Sequence, residues 1–568
     1  MMSVNGICEE RALAKNWLSR TALPLWTSVG YDAKLGLFHE RLTFTGEPME
    51  ALPRRLMVQC RQIYVVAQAT LTGLMDGRAL LDTTFTQVLR HFHKSETDLK
   101  WIFSIDPDGH VRDPRSDCYS LAFVLFALAW LYRVKADKFY LELADEIVAV
   151  LDRHMAAELG GVTDGVPRPD GYLRQNPNMH LIEAYLALYE ATGAQKYLTR
   201  ARSMYALFCR HIFLHDHAAI PELHDSGWKV SDLNQAWYEP GHHFEWVWLS
   251  RRLAKASGED VTGQVQALLS RALDEGVDDA SLSIERVSVL GRERTVSRRS
   301  WGSCEFIKAC AAEAEANPSQ SGIWADRAAN SLKSLRKMFL STSVNGLWVD
   351  RVDQHGAALS TDVPASSLYH FTLAIMESDR VFGTVMPKSY VSKPSAAMFL
   401  DRDGVINLDT GYPNKPNHIS FVPGIAEAIK MATAAGYQVV VVSNQSGVAR
   451  GMMTEADVLR LHRWMASELS QQGADISAWY HCPFHEQASV DVYKYEKHPD
   501  RKPNPGMLLR AAHDLNIDLS RSKMIGDQET DMEAARRSGV TPYRFHGGDM
   551  LTFMTKVISP PPSVRAAL

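Results

Sequence analysis

Apolar residues recur every three or four positions over most of residues 10–385, as in 119–134 and 180–191, the spacing that lines one face of an α-helix. Polar side chains interrupt three of these stretches at helical intervals. Arg55, Gln59 and Gln62 stand at i, i+4 and i+7, as do Asn176, His180 and Glu183, while His242 and Glu245 stand at i and i+3. On an otherwise apolar face such a stripe needs hydrogen-bond partners or a water-filled cavity. Taken singly, each stripe reads first as a satisfied buried hydrogen bond. The helical segments also echo one another. Tyr132…Ala136…Tyr140-Leu141…Ala144 returns as Tyr189…Gly193…Tyr197-Leu198…Ala201, and Leu188-Tyr-Glu-Ala-Thr-Gly193 returns as Leu253-Ala-Lys-Ala-Ser-Gly258. Each glycine falls where a left-handed cap would end a helix. A period of roughly 60 residues, about two helices per unit, predicts a closed ring of helical hairpins, with an open solenoid as the alternative.

Near Met386 the texture changes. Residues 386–395 hold two prolines and no periodicity, and read as a linker. Short β-rich runs follow at 397–400, 438–442 and 523–525, separated by helical stretches such as 425–435 and 455–471. Alternating β and α predicts a parallel sheet with helices on both faces. The expected organisation is a helical domain over 1–385, the linker, an α/β domain over 396–550 and a tail over 551–568, unstructured from Ser559 with its Pro560-Pro-Pro562.

Composition narrows the classes. The 568 residues exceed one ordinary core, and 46% hydrophobic with 22% charged residues is a globular balance. A net charge of −5 gives no broad electrostatic reason to expect nucleic acid or an anionic membrane as partner. No apolar run is expected to span a bilayer, and residues 1–20 carry acids and lack a signal-peptide core. Seven cysteines without regular spacing predict reduced thiols and a cytoplasmic location. Small molecules are the expected partners, and a homo-oligomer is compatible with the sequence.

In the α/β part, polar residues gather at strand ends, where parallel sheets bind ligands. The first strand ends in Asp401-Arg-Asp403-Gly404, the second in Ser443-Asn444-Gln445; Arg501-Lys502-Pro503 lies on a later loop, and a fourth strand ends in Gly526-Asp527, with Asp531 one turn on. One carboxylate can attack phosphorus and a second can protonate the leaving group and activate water. Mg²⁺ needs hard oxygen ligands, and a hydroxyl and an ammonium can hold phosphoryl oxygens. An isolated Asp-x-Asp pair is weak; the ordered set is not.

The runs Phe399-Leu-Asp-Arg-Asp-Gly-Val-Ile-Asn407, Ser443-Asn-Gln-Ser-Gly-Val-Ala-Arg-Gly451, Arg501-Lys-Pro-Asn-Pro-Gly-Met507 and Ile525-Gly-Asp-Gln-Glu-Thr-Asp531 resemble the haloacid dehalogenase (HAD) superfamily. They are most similar to its heptose bisphosphate and histidinol-phosphate phosphatases. The resemblance implies Asp401 as nucleophile and Asp403 as general acid/base. It also implies Mg²⁺ on Asp401, the Asp403 carbonyl and Asp527, with Ser443 and Lys502 at the phosphoryl group and Asn444 among the substrate-binding residues. Arg450 and Arg501 would meet the substrate's remaining anionic groups. The stretch 409–422 is too short for a large cap, so an open site is expected. Relatives often hold a structural zinc on a Cys-x-His…Cys-x-Cys loop. Here Cys482-Pro-Phe-His485 and His498-Pro-Asp500 lack the second thiolate pair. A metal-free loop is expected, with a mixed zinc site on Cys482, His485, His498 and Asp500 as the alternative.

In the helical part, Trp237, Trp246, Trp248 and Trp301 accompany the polar stripes. Aromatic faces between polar groups suit a carbohydrate, although Trp246 and Trp248 alone read as core. The runs Arg54-Arg-Leu-Met-Val-Gln59, Asn178-Met-His-Leu-Ile-Glu-Ala184, Glu239-Pro-Gly-His-His-Phe-Glu-Trp246, Trp301-Gly-Ser-Cys-Glu-Phe-Ile-Lys308 and Val363-Pro-Ala-Ser-Ser-Leu-Tyr-His370 resemble the N-acylglucosamine 2-epimerase superfamily. That resemblance implies an (α/α)6 barrel that isomerises or epimerises a sugar through a cis-enediolate, without a metal. His242 and His370 would be the acid/base pair and Arg55 would polarise the carbonyl. Asn176, His180, Glu183, Glu245, Trp301 and Glu305 would bind or orient. The basic loop 292–299 reads as solvated, with sugar-phosphate binding as the alternative. The whole reads as a bifunctional sugar isomerase/epimerase and Mg²⁺-dependent sugar phosphatase in heptose or mannose-type precursor synthesis. Two alternatives replace the helical half, by N-acylglucosamine 2-epimerase proper or by a non-catalytic sugar-binding module.

Overall fold

The computed structural model describes residues 3–383, 395–515 and 517–558. The chain divides into two compact units, Met1–Met386 and Pro387–Leu568. Apart from Ser395, the expected linker lies outside the described residues, as does the stretch from Ser559.

The first unit is built on twelve long helices among the described residues. In chain order they begin α1 (Ser3–Trp17), α2 (Leu56–Leu71), α3 (Arg78–Phe92), α4 (Cys118–Lys135), α5 (Phe139–Val150) and α6 (Gln175–Thr192). They continue α7 (Gln195–Leu207), α8 (Pro240–Ser257), α9 (Thr262–Gly276), α10 (Ser300–Ala316), α11 (Ser321–Phe339) and α12 (Leu368–Phe382). Even-numbered helices pack in succession, and α12 returns to α2, so the ring is closed and the open solenoid is set aside. Odd-numbered helices lie outside, each against an even-numbered neighbour. The sequence pattern explains the two layers. Outer α9 buries Val265, Leu268, Leu269 and Ala272, a stripe at i, i+3, i+4 and i+7. Inner α4 buries residues on every side, including Leu121, Phe123, Val124, Leu125 and Phe126.

That inner helix qualifies one expectation. Residues 118–135 are long and apolar enough to cross a membrane by length and composition, and 67% of the window is buried inside the protein. Its apolar character is accounted for by packing against α2 and α6.

In the second unit, β1 (Ala397–Leu400), β2 (Gln438–Asn444), β3 (Ala478–Cys482), β4 (Lys523–Gly526) and β5 (Thr541–Arg544) form one sheet in the order β3-β2-β1-β4-β5. All four pairings are parallel. Side-chain alternation divides the core. Met398, Leu400, Val439 and Val441 pack beneath α13 (Ile425–Ala434), α14 (Glu455–Gln471) and α17 (Met550–Ile558). Phe399, Val440 and Val442 face α15 (Gly506–Leu515) and α16 (Glu529–Ser538). Between β1 and α13 the described residues hold turns and the single short helical turn Pro416–His418, with no separate cap domain. One boundary is corrected. Residues 551–558, expected in the tail, belong to α17, whose Met550, Met554 and Val557 are buried in the core.

The repeat seen in the sequence has a backbone basis. Gly193 (φ 69°) and Gly258 (φ 75°) end α6 and α8 in left-handed caps. Ala136 (φ 56°) ends α4 in the same way. A Cβ in that region is strained, whereas glycine is not. Ala136→Gly is therefore expected to stabilise the helical unit by up to about 1 kcal/mol, net of glycine's larger unfolded-state entropy. Calorimetry should show a raised Tm for that unit; an unchanged or lower Tm would count against the strained-cap account.

Candidate active sites

The helical candidates come together because they occupy equivalent places in the ring. Short extended pairs precede the inner helices, such as Arg54–Arg55 before α2, Leu173–Arg174 before α6, Trp237–Tyr238 before α8 and Arg298–Arg299 before α10. Arg55 is the N-cap of α2. Asn176, His180 and Glu183 lie in the first turns of α6, His242 and Glu245 in those of α8, Trp301 and Glu305 in those of α10, and His370 in the first turn of α12.

The Trp301 ring neighbours both histidines, its centroid 4.9 Å from that of His242 and 5.7 Å from that of His370. Gly241 allows this approach, since a Cβ there would stand 2.6 Å from the indole. Each histidine is buried and held by a carboxylate. His242 Nδ1 donates to Glu222 Oε1 at 2.7 Å, and His370 Nδ1 donates to Glu305 Oε1 at 2.8 Å. Their surroundings differ in sign. Burial works against a charged His242, but Glu222, Glu239 and Glu245 outweigh it and hold the imidazole up at about 9. Burial, with Arg61 and Lys308 nearby, pushes His370 well below the ordinary histidine value.

Around them, His180 Nδ1 donates to Glu183 at 3.0 Å and the Tyr369 hydroxyl donates to the same carboxylate at 2.5 Å. Burial would raise Glu183; His180, Lys308 and Tyr369 bring it down to about 2. Glu245 and Glu305 flank Lys308 Nζ at 3.7 Å and 2.5 Å. Asn176 Oδ1 is buried without a hydrogen-bond partner. Arg55 Nε donates to Glu40 Oε1 at 2.6 Å. Gln59 and Gln62 take the bland reading, bonded to the backbone of Phe38 and Ala365. Trp246 and Trp248 are core. In the basic loop, Arg298 is ion-paired with Asp278, and half-exposed Arg299 donates to Asp350 at 3.4 Å while close enough to act on His370 and Glu239. A separate cavity of about 1010 Å³ opens at the other end of the inner helices, among Tyr64, Trp130, Arg252 and Glu377, and of these candidates only Trp248 lines it.

Sequence reasoning missed Glu222, Arg61, Tyr369 and Lys308. Glu222 has no helical spacing to His242, and Arg61, whose guanidinium donates to the Tyr119 hydroxyl at 2.6 Å, lies off the stripe that begins at Arg55. Lys308 was legible, standing three residues after Glu305 on one helix face.

In the second unit, Lys502 ties the strand ends together. Its Nζ is 2.9 Å from Asp401, 2.6 Å from Asp531 and 2.8 Å from the Val442 carbonyl that accepts from it. Burial pushes Asp401 up to about 7 against the pull of Lys502, with Asp531 and Asp403 adding repulsion. The Asp403 carboxylate accepts from Arg402, Asn407 and Gln445, and Gln445 also donates to Ser443 Oγ at 2.8 Å. Gly404 (φ 84°) runs so close to Asp527 that a Cβ would stand 2.6 Å from its Oδ2. The Asn444 side chain makes reciprocal 3.0 Å bonds with the Lys502 backbone, which assigns it to holding that loop. Arg501 donates to the Phe484 carbonyl at 3.1 Å, and Arg450 is exposed nearby.

Two groups of side chains among the described residues converge as metal ligands could, His180/Glu183/Glu245 and Asp401/Asp527/Asp531. The first already faces the Lys308 ammonium. The Cys482 loop forms no such group. His498 Nδ1 accepts from the Asp500 amide at 3.1 Å and lies 3.8 Å from Cys482 Sγ, while His485 Nδ1 accepts from Gln487 at 2.9 Å.

Comparison with known proteins agrees with both halves. The family model described as N-acylglucosamine 2-epimerase matches residues 36–374, and a HAD-hydrolase-like model matches residues 500–545. A D-glycero-beta-D-manno-heptose-1,7-bisphosphate 7-phosphatase of Rhodopseudomonas palustris is 45% identical over 174 residues, 30% of this chain and 94% of that protein. The D-glycero-alpha-D-manno-heptose-1,7-bisphosphate 7-phosphatase of Burkholderia mallei is 45% identical over 144 residues, 25% of this chain and 76% of that protein. The fold of the helical unit is shared with a cellobiose 2-epimerase from Bacillus thermoamylovorans, at TM-score 0.59 and 17% identity over 65% of this chain and 99% of that one. It is shared equally with a D-mannose isomerase, at TM-score 0.57 and 20% identity over 65% and 97% of the two chains. The chain thus belongs to the N-acylglucosamine 2-epimerase family through its ring of helices and, through its C-terminal sheet, to the HAD phosphatases that include those heptose bisphosphate enzymes.

Proposed function

We propose that the helical unit moves a proton at the carbon beside a sugar carbonyl, interconverting an aldose with its ketose or 2-epimer, and that the second unit hydrolyses a sugar phosphate or bisphosphate. The observation that carries the first half is the opposite electrostatic setting of two histidines that both neighbour Trp301. An acid/base pair is recognised by surroundings that drive the two pKa values apart. Neutral His370 takes the proton from carbon, and the electron pair moves onto the carbonyl oxygen to give the enediolate. Charged His242 returns a proton. Delivery to the same carbon from the other face gives the epimer, and delivery to the neighbouring carbon, with the O2 hydroxyl proton passing to O1 as the new carbonyl forms, gives the isomer. Arg55 stabilises the developing oxyanion, and Asn176, His180 and Glu183 receive hydroxyls. Arg299, beside Trp301, supports a phosphorylated sugar as substrate.

In the second unit, Asp401 attacks phosphorus and displaces the sugar alkoxide, which Asp403 protonates. Asp403 then activates the water that hydrolyses the aspartyl-phosphate. Ser443 and Lys502 hold the phosphoryl oxygens. The donor set suits Mg²⁺: Asp401, Asp527 and Asp531 present oxygens within 4.8 Å of one another, and Asp527 Oδ1 is buried without a partner. Asp401, Asp527 and the Asp403 carbonyl would hold the ion, which supplies the charge that lets an anionic phosphate approach a carboxylate. Arg450 and Arg501 at an uncapped site favour a bulky substrate with a second anionic group, such as the heptose bisphosphates handled by the relatives, in precursor synthesis. Seven free cysteines support a reducing, cytoplasmic setting.

A panel of hexose and heptose phosphates, followed by NMR in D₂O and by phosphate release, tests both halves. Deuterium entering beside the carbonyl and phosphate release are both expected; absence of exchange from every sugar would remove the first assignment. His242→Ala and His370→Ala are each expected to lower exchange by on the order of 10²-fold or more. Asp401→Asn or Mg²⁺ removal should abolish phosphate release and leave exchange intact, and a parallel loss would contradict two separate sites. The pH profile of kcat/KM should fall above about 9, where His242 loses its proton, and should stay level to below the ordinary histidine range, because His370 resists protonation. A profile centred on an unperturbed histidine would contradict the assigned roles.

A further inference from the structure

Lys308 is fully buried on α10, one turn beyond Glu305. Its ammonium lies 2.5 Å from Glu305, 3.7 Å from Glu245 and 3.8 Å from the centroid of the Trp248 ring. A buried ammonium persists only where carboxylates compensate its lost hydration. Burial works against its charge, and Glu305, Glu245 and Glu183 hold it protonated. Glu305 faces two ways: Oε1 meets His370 Nδ1 and Oε2 meets Lys308. The other charged or titratable groups around this cluster are Glu183 and His180 of α6, Arg61 of α2, Cys304 of α10, Tyr369 of α12 and Arg299 ahead of α10.

The protonation of Glu305 decides what His370 can do. An ionised Glu305 accepts from Nδ1–H, which leaves Nε2 bare and able to take a proton. A neutral Glu305 would donate to Nδ1 and move the ring proton to Nε2, where no proton could be accepted. Burial and the Glu245 carboxylate hold Glu305 well above the ordinary carboxylate range, and the Lys308 ammonium, 2.5 Å from Oε2, is the charge that opposes them. We propose that Lys308 is a positioning residue for the proton transfer: its ammonium, against Glu305 Oε2, draws that carboxyl towards the ionised form and so favours the His370 tautomer whose Nε2 is free to act as base. This rests on His370 being the base, as proposed above. Lys308 acts through Glu305 and takes no proton from the sugar.

The test is turnover of the full-length protein, read as deuterium uptake at C2 of D-mannose and of D-mannose 6-phosphate in D₂O. Lys308→Met keeps length and removes charge. It is expected to lower kcat by on the order of 10-fold or more with little change in KM, and to move the acid limb of the pH profile upwards, because Glu305 then holds a proton to higher pH. Activity should therefore partly return at alkaline pH, which a packing defect would not produce. In a Glu305→Gln background the same substitution should add less than about two-fold, since coupled residues are non-additive. Thermal unfolding checks the fold, and Lys308→Gln carries the same expectation if the Met variant is unfolded. A folded variant with unchanged kcat and profile, a loss equal at every pH, or a full further loss in the Glu305→Gln background would each overturn the inference. His370→Ala separates the two ideas. If it is inactive while Lys308→Met is normal, only the role of Lys308 fails; if it is active, the proton-transfer reading itself fails.

Discussion

An ionisable group at the end of an apolar helical ring persists only if another group compensates its lost hydration. The active end of the helical unit is organised by that demand. Glu222 is buried against His242, and Glu305 is buried against His370 and Lys308. The two histidines share residue type and a Trp301 wall, yet one gathers carboxylates and the other faces Arg61 and Lys308. The supporting charges thereby set the two imidazoles apart in basicity, as the proposed acid and base require. The geometry comes from the fold, because closing the ring brings the first turns of α6, α8, α10 and α12 to one end.

The sheet solves a similar problem with one cation. Lys502 reaches Asp401 on β1 and Asp531 on α16, and the carbonyl of Val442 on β2 accepts from it. Three elements are thus fixed by one ammonium, and Asn444 holds the loop that delivers it. Asp527 is left with a buried, unpartnered oxygen beside this arrangement, and Gly404 supplies the clearance that Asp527 requires. The carboxylates gathered there fit the Mg²⁺ proposed for the site.

The architecture was legible where the physics is local. Apolar spacing gave the helices, the glycines at 193 and 258 marked the caps, and the hydrophobic runs at 397–400 and 438–442 gave central strands. Edges were harder. β3 was counted but not located, β5 was not foreseen, and β5 carries Pro542, tolerable only because the strand lies at the sheet edge. α17 was read as tail because a short amphipathic helix after a Gly-Gly turn carries little pattern of its own. The candidate residues on inner helices were legible as polar stripes and motif positions. Their partners were not, because Glu222 reaches His242 from a hairpin and Tyr369 reaches Glu183 across the ring. Such contacts exist only once the ring closes. Asn444 shows the converse: its place in a motif suggested substrate binding, whereas its hydrogen bonds assign it to the backbone of Lys502.

The central claim is that two buried histidines stand in opposite protonation states at neutral pH. Nitrogen-15 chemical shifts of histidine-labelled protein, assigned with His242→Gln and His370→Gln, measure this directly. The account predicts an imidazolium at His242 that titrates near 9, and a neutral His370 with its proton on Nδ1 down to well below the ordinary histidine range. Two histidines that titrate together near the unperturbed value, or a neutral His370 with its proton on Nε2, would contradict it.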